Sequence, residues 1–443
     1  MDNNNTMPEV RAAAGGVSVP EMPKAPAFSA SWREILAAVL LFGLAYVYVD
    51  RILFGWDDSR WALLIFTLGF VALTELLCWE KPRSRESWFW LLCLGLILAG
   101  MLLHLDKIDG PEPVWDQSQC MLFLHLCAVW WVLHRSGSLL EGESSHLLPV
   151  DGLDGFVIFP FKHYFLRVRS LWYGLSRIGR GKKRPAWGAV FWSLGAVCLA
   201  ALLFLLATRL LQAADESFDR LVGRVLRWLT LPDWDIDWFM VFLSLPVGAW
   251  LFGLLAGSAR EDRAALDARA AAWREGLAKL RRVPALVWPI LCGCFCLLYL
   301  VFFVLQARYL FGAFTRTLPE GFIVSQYARQ GFFELCRVMA VNFVLLWLMV
   351  RSSVRPVRED RLSLALCLVL LAESLLLAVV ALSKLWLYID CFGFTPLRLQ
   401  SSWLVCVLIL GCLAAGYSLT TGKKSLKLWL LIAMGSLSLL CLV

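Results

Sequence analysis

The chain has 443 residues, of which 60% are hydrophobic and only 17% are charged. A water-soluble protein of this length needs more charged surface, so an assembly of soluble domains is excluded. The formal net charge is +8. Basic loops on one face of a membrane account for that charge, so a nucleic-acid partner is not needed to explain it.

The first 30 residues contain Gly15, Gly16 and several Ala and Pro, a composition typical of a disordered tail. They lack a basic segment followed by an apolar core, so the first hydrophobic span is expected to be retained. We therefore predict a cytoplasmic tail over residues 1–30 and one polytopic transmembrane domain over residues 31–443.

Apolar runs that can cross a hydrocarbon core of ~30 Å recur along this domain. They predict an all-α membrane bundle of about eleven helices, at 35–49, 61–78, 88–105, 121–133, 187–206, 239–257, 286–305, 333–350, 362–382, 403–419 and 428–443. The runs 121–133 and 428–443 are short, and whether they cross fully stays open. Most Lys and Arg residues lie in alternate connections, which places the N-terminus in the cytoplasm.

Three connecting segments have the periodicity of amphipathic helices. Segment 161–178 has an apolar stripe with basic flanks, which predicts a helix on anionic lipid at the inner face, or alternatively a docking site for a protein. In segment 260–282, packing on neighbouring helices is favoured over a dimeric coiled coil because the seam is short. Segment 215–229 is predicted to lie on the outer face.

Glu373 falls near the middle of its span, where an isolated carboxylate is costly. We predict either a proton or cation site, or a protonated side chain that is hydrogen-bonded between helices. Glu75 lies near a span end and can reach the interface. Pro246 lies mid-span and is predicted to kink its helix, which could open a pocket.

The sequence shows no catalytic signature, because it lacks a Ser/His/Asp order, a phosphate-binding loop and an HExxH motif. Cys292, Cys294 and Cys296 are spaced by two, so on a helix they point in different directions and cannot share a metal easily. No cofactor and no metal are predicted, and a non-enzymatic role is favoured.

Three stretches carry a resemblance to a known family. They are Ala213-Ala-Asp-Glu-Ser-Phe218, Tyr327-Ala-Arg-Gln-Gly-Phe-Phe-Glu-Leu335, and Leu385-Trp-Leu-Tyr-Ile-Asp-Cys-Phe-Gly-Phe-Thr-Pro-Leu-Arg398. Over residues 209–410 the chain resembles a family of bacterial integral membrane proteins, a domain of unknown function in the series numbered in the four-thousand-one-hundreds. The resemblance implies a bacterial inner membrane and no known activity. Ala213, Glu216, Leu385, Phe392 and Phe394 depart from the pattern of the family.

All three motifs are predicted to lie in outer loops, where they would converge in a polar cap. Arginine is a planar donor suited to carboxylate or phosphate, and acidic residues supply counter-charges. The predicted ligand-binding residues are Asp215, Tyr327, Arg329, Glu334, Tyr388 and Arg398. Two interpretations stay open, namely a structural clasp and a cleft for an anionic envelope ligand such as a lipid head group or glycan precursor.

Two classes of function follow from these features. The first is transport, lipid or envelope-precursor handling, or sensing through the outer cap, with Glu373 as a coupling acid. The alternative is a non-catalytic scaffold or accessory subunit that binds a protein partner at the cytoplasmic face through segments 161–178 and 260–282. In both cases membrane lipid is an expected partner.

Overall fold

The computed structural model describes residues 28–55, 60–104, 113–178, 237–284, 286–312, 314 and 324–443, with the backbone alone at 178, 308–309 and 324–331. Every regular element in these ranges is helical. Eight of the described helices are long and apolar enough to cross a membrane. The chain is therefore an all-α, multi-pass membrane protein.

These eight spans are Trp32–Leu53, Arg60–Leu77, Arg85–His104, Trp238–Arg260, Val287–Leu305, Phe332–Ser352, Arg361–Phe392 and Pro396–Thr421. The described helices are α1 (Trp32–Val47), α2 (Arg60–Leu77), α3 (Arg85–His104), α4 (Gln117–Ser136), α5 (Leu148–Leu153), α6 (Phe159–Lys162), α7 (Leu166–Ile178), α8 (Trp238–Arg260), α9 (Arg263–Lys279), α10 (Val287–Leu305), α11 (Ala307–Phe311), α12 (Val324–Ser352), α13 (Arg361–Phe392), α14 (Pro396–Thr421) and α15 (Leu426–Leu440). Two π-helices, π1 (Tyr48–Leu53) and π2 (Asp154–Ile158), continue α1 and α5.

The first bundle contains α1 to α4, α8 and α15, together with the segment from α5 to α7. Its first helix begins at a capping box, in which Ser31 and Glu34 satisfy each other's backbone N–H groups. The small buried residues Ala38 and Ala45 allow α8 to approach α1 closely. The last helix, α15, returns to this bundle and packs on α3.

The second bundle contains α10, α12, α13 and α14 and has a separate apolar core. The two bundles meet along α14 and α15, where the Trp403 indole N–H donates to Ser436 Oγ at 2.9 Å. The Trp403 ring also packs edge-on against Trp115, with ring centroids 5.5 Å apart. Aromatic and hydrogen-bonded contacts therefore join the two cores.

Most predicted spans are present as helices. The short run 121–133 lies in the 20-residue helix α4, which is not among the eight candidate spans. The short run 428–443 corresponds to α15, which has 15 residues. Both ends of α4 carry polar or basic residues, exposed at Gln117 and buried at His134 and Arg135, which explains why the apolar run within it looked short. The predicted span 187–206, the outer helix 215–229 and tail residues 1–27 lie outside the described residues.

The prediction that the second and third motifs form outer loops is wrong. Helix α12 starts at Val324, so the stretch 327–335 is helical, and α13 continues to Phe392. Helix α13 ends at Gly393, which has a φ of 77°. Residues other than glycine rarely adopt this left-handed backbone conformation. Helical hydrogen bonding therefore continues past the apolar runs, which hydrophobicity alone does not reveal.

The predicted inner helix 260–282 is present as α9, whereas the predicted helix 161–178 is interrupted by a turn at 163–165, and α7 begins only at Leu166. Val168 and Leu175 of the predicted stripe are exposed on α7, and so is Phe165 in the turn that precedes it. On α9, Leu266 and Ala270 are buried against the first bundle. Packing of α9 on its neighbours is thus confirmed.

The predicted orientation can be tested by thiol labelling. Cys391 is exposed and should react with a membrane-impermeant maleimide in intact cells, because the positive-inside rule places it outside. A second thiol made by Gly276→Cys on α9 has open space around it and should react only after permeabilisation. The exposed thiols Cys294 and Cys406 are replaced first. The reverse pattern would invert the topology.

Candidate ligand cavity and intramembrane polar cluster

The first bundle contains a half-open cavity of about 570 Å³. Nearly all of its wall is apolar or aromatic. The lining residues are Tyr48, Ile52, Leu53, Leu63, Phe66, Thr67, Phe70, Leu94, Met121, Leu124, His125, Ala128, Val129, Phe156, Phe161, Tyr164, Pro246, Val247, Trp250, Leu251 and Leu254. This volume and composition are typical of sites that bind small apolar ligands.

A tyrosine–histidine pair is a polar feature of the cavity wall. Tyr48 Oη lies 2.7 Å from His125 Nε2, and His125 Nδ1 lies 2.7 Å from the Met121 carbonyl oxygen. A carbonyl only accepts, so Nδ1 carries a proton, and in the neutral form of the imidazole Nε2 accepts from the tyrosine hydroxyl. The Tyr48 oxygen keeps its lone pairs available to accept a hydrogen bond from a ligand.

Irregular helical segments help to form the cavity. Pro246 lacks an N–H and leaves the carbonyl of Phe242 without its usual helical partner. Residues of π1 and π2 also line the space, and π-helical turns are frequent at functional sites. The predicted pocket at Pro246 is therefore present.

The segment from π2 to α6, named here the inserted segment, packs against α8 within the length of that span and forms part of the cavity wall. A Cβ atom at Gly253 would lie 2.4 Å from the Pro160 carbonyl oxygen, so α6 touches the backbone of α8 there. Gly253 precedes the end of α8 at Arg260 by about two turns, a rise of about 10 Å. Residues 154–160 had no predicted element and the predicted interfacial helix began at residue 161, although the apolar run 155–161 could have indicated burial.

Ion pairs hold the inserted segment in place. Glu261 accepts from Lys162 Nζ at 2.5 Å and lies 3.1 Å from His163 Nε2. The hydrogen bond with His163 and the Lys162 ammonium lower the pKa of Glu261 to about 2, against the opposing effect of burial. Arg269 donates to Asp154 at 2.7 Å, which ties α9 to π2.

A polar cluster crosses the core of the second bundle. Tyr299 Oη donates to Asn342 Oδ1 at 2.6 Å, and Asn342 Nδ2 donates to Ser374 Oγ at 2.9 Å. Each of these residues lies about three turns, or about 15 to 20 Å, from one end of its helix. That end adjoins loop 280–286 in α10 and loop 353–360 in α12 and α13. The three side chains therefore share a level near the bilayer midplane.

Glu373, the predicted coupling acid, precedes Ser374 and interacts with the Cys296 thiol. Its side chain is half-buried, and its Oε2 atom makes no hydrogen bond. Within the described part of the chain no basic side chain lies within salt-bridge range of Glu373. The sequence found this acid but missed its neighbours, because Tyr299, Asn342 and Ser374 occur singly in apolar runs.

At the predicted outer cap, the structure describes the turn between α13 and α14. The Arg398 guanidinium lies 4.1 Å from the centroid of the Tyr388 ring and donates to the backbone oxygens of Phe392 and Gly393. Among the residues with described side chains, no carboxylate lies within salt-bridge range of Arg398. Tyr388 and Arg398 are thus brought together, and the guanidinium is held by carbonyls and rings.

The other cap residues are less fully described. Glu334 is exposed on α12, where it interacts electrostatically with the buried Lys384 of α13. Tyr327 and Arg329 lie on α12 with their backbones alone described, and Asp215 lies outside the described residues. Convergence of all three motifs stays a prediction.

Residues 35–443 match the model of a family described as a domain of unknown function, DUF4153. The chain belongs to this family. No curated protein and no solved structure matches the chain. The DUF4153 match extends on both sides of the range 209–410 that the motifs covered, and it includes the cavity, the Glu373 cluster and the turn at Arg398.

Proposed function

We propose that this membrane protein handles a lipid-like amphiphile whose apolar chain occupies the cavity of the first bundle. The observation that carries the proposal is a space of about 570 Å³ with an almost wholly apolar and aromatic wall. Lipid or envelope-precursor handling at a bacterial inner membrane accommodates such a ligand better than passage of a hydrophilic solute, because burying polar groups without partners is costly.

Selectivity must come from shape and from polar contacts. A chain that leaves the bilayer for the cavity gains little hydrophobic free energy, because lipid tails are as apolar as the wall. Close packing against rigid rings such as Trp250 and Phe70 can favour one chain over another. The hydroxyl oxygen of Tyr48 offers a fixed acceptor near the chain.

A cavity-filling substitution tests this proposal. Ala128→Trp should reduce the amount of co-purifying or added amphiphile at least about fivefold, because the indole occupies the space that the chain needs. Ala340→Trp, at an exposed position of α12, is the matched control and should bind like the wild type. Native mass spectrometry in mild detergent measures retention. Equal retention by both variants and the wild type would contradict the cavity as the binding site.

A second candidate function is supported by the polar cluster of the other bundle. An acid at the bilayer midplane, beside a chain of hydrogen bonds and without a basic partner among the described residues, has the composition of a proton or cation site. We infer that Glu373 binds a proton there and couples it to conformational change.

A carbodiimide that partitions into membranes tests the Glu373 site, because such reagents modify protonated carboxyl groups in apolar surroundings. Mass mapping should find Glu373 modified, and Glu373→Gln should abolish modification without loss of folding, because the amide keeps shape and hydrogen bonding. Exposed Glu275 on α9 serves as the carboxyl control and should stay unmodified. An unmodified Glu373 at acidic pH would count against proton binding.

A further inference from the structure

Arg167 is buried in the first bundle although it belongs to the amphipathic helix α7. Only 3% of the residue is exposed. Its Nε atom donates to the Ala38 carbonyl oxygen at 3.1 Å, and its Cζ atom lies 3.6 Å from the centroid of the Phe42 ring. Other basic residues of this segment, such as Arg169 and Arg177, are exposed. The side chain of Arg167 therefore points into the bundle.

The guanidinium lies near the bilayer midplane. Phe42 is close to the midpoint of the span Trp32–Leu53, and Gly248 is close to the midpoint of α8. A Cβ atom at Gly248 would lie 2.3 Å from Arg167 Nη1 and 3.1 Å from the Ala45 Cβ atom. Absence of a side chain at Gly248 is thus what makes room for the charge.

Nothing acidic balances this charge in the part of the chain that is described. Arg167 has no carboxylate within salt-bridge range there, and its Nη2 atom is buried without a hydrogen-bond partner. The guanidinium of Arg167 keeps its proton at neutral pH, because arginine is not deprotonated in proteins. A buried cation with one carbonyl and one ring as partners is costly, and charges at this depth mark ligand or ion sites.

The charge and the cavity occupy adjoining faces of the same helices. Val247 lines the cavity, and the next residue, Gly248, meets the guanidinium. On the first span, Ala38 and Ala45 belong to the helical stripe that continues to Tyr48 and the cavity wall. An amphiphile with its chain in the cavity therefore has a positive charge within reach of its head.

We propose that Arg167 binds the acidic head group, a carboxylate or a phosphate, of the amphiphile whose chain occupies the cavity. This inference rests on the proposed function and specifies its ligand class. Phe42, which is 43% exposed and covers the guanidinium, would swing aside to admit the head group. A guanidinium suits both anions because it donates two parallel hydrogen bonds.

The test compares ligands of equal chain length and different head groups by native mass spectrometry of the full chain in mild detergent. The probes are a fatty acid, an alkyl phosphate and the fatty alcohol, with inorganic phosphate as the chainless anion. The wild type should retain at least one of the two anionic amphiphiles about tenfold more than the alcohol, and inorganic phosphate not at all. The favoured anion tells carboxylate from phosphate.

Variants assign any preference to Arg167. Arg167→Gln should retain the anionic amphiphiles no better than the alcohol, and Arg167→Lys should keep part of the preference because the charge remains. The control Arg169→Gln removes an exposed arginine that rests on the Phe28 ring at 4.7 Å and should behave like the wild type. An unchanged preference in a folded Arg167→Gln variant would overturn the proposal.

The wild-type comparison stands even if Arg167→Gln does not fold. Equal retention of acids and alcohol by the wild type overturns the role of Arg167 and leaves the cavity proposal intact. Failure of the wild type to retain any chain overturns the cavity proposal itself. Retention of inorganic phosphate at the level of the alkyl phosphate would replace the amphiphile with a free anion and also overturn the inference.

Discussion

Replacing Arg135 with methionine is expected to lower the free energy of unfolding by about 3 to 5 kcal/mol, which would make it among the most damaging single changes in the first bundle. Arg135 is 2% exposed. Its guanidinium donates to Glu75 at 2.9 Å and to the carbonyls of Cys78 and Lys81 at 2.7 and 3.2 Å. Without Arg135, the Glu75 carboxylate keeps only its pair with Arg83, the Lys81 carbonyl loses this donor, and the Cys78 carbonyl keeps only the N–H of Lys81.

Unfolding in mixed micelles with a rising fraction of dodecyl sulfate, followed by far-UV circular dichroism, measures this loss. Lys279→Met breaks the exposed pair with Glu275 and should cost less than about 1 kcal/mol, because water screens that pair. Adding Glu75→Gln to Arg135→Met should recover part of the stability, since no uncompensated buried charge is left and the exposed Arg83 stays solvated. An Arg135→Met midpoint equal to that of Lys279→Met would show that the buried pair adds nothing.

Gly253→Ala should destabilise the protein by about 1 to 3 kcal/mol and weaken chain binding in the cavity. The new methyl group would meet the Pro160 carbonyl oxygen at 2.4 Å, and backbone cannot turn away as a flexible side chain can. Helix α6 must then move, and it carries Phe161 of the cavity wall. One substitution should therefore change both the unfolding midpoint and ligand retention.

Gly43→Ala is the matched control for this effect. Gly43 lies on the span Trp32–Leu53, and a Cβ atom there would have no neighbour within 4 Å. Alanine in an open helical position is neutral or stabilising by up to about 1 kcal/mol. If the two alanine variants unfold alike and bind alike, close packing of the inserted segment against α8 is not required.

Hydrophobic runs predicted the spanning helices well, because crossing a bilayer demands about twenty apolar residues in sequence. The same criterion missed the inserted segment at Pro160, since a short apolar run with glycines satisfies no length requirement. Glu75 was expected to reach the interface, but its pairing with Arg135 and Arg83 was not predicted. Such pairings join residues far apart in the chain, and periodicity carries no information about them.

The candidate site was predicted unevenly for the same reason. The sequence revealed Glu373 because a single charge in an apolar run is easily recognised, and it revealed Pro246 because proline breaks helices. Arg167 was not revealed, because it is one of several basic residues in segment 161–178 and its inward direction depends on Gly248, a residue far away in sequence. Whether an arginine is exposed or buried therefore depends on the tertiary structure around it.

The return of α15 to the first bundle affects the order of biosynthesis. A Cβ atom at Gly100 of α3 would lie 2.0 Å from the Cys441 carbonyl oxygen, so the end of α15 fits directly against this helix. The ribosome makes α15 several hundred residues after α3. The translocon must therefore release the early helices with an open groove, and the bundle that holds the cavity closes only when the last helix arrives.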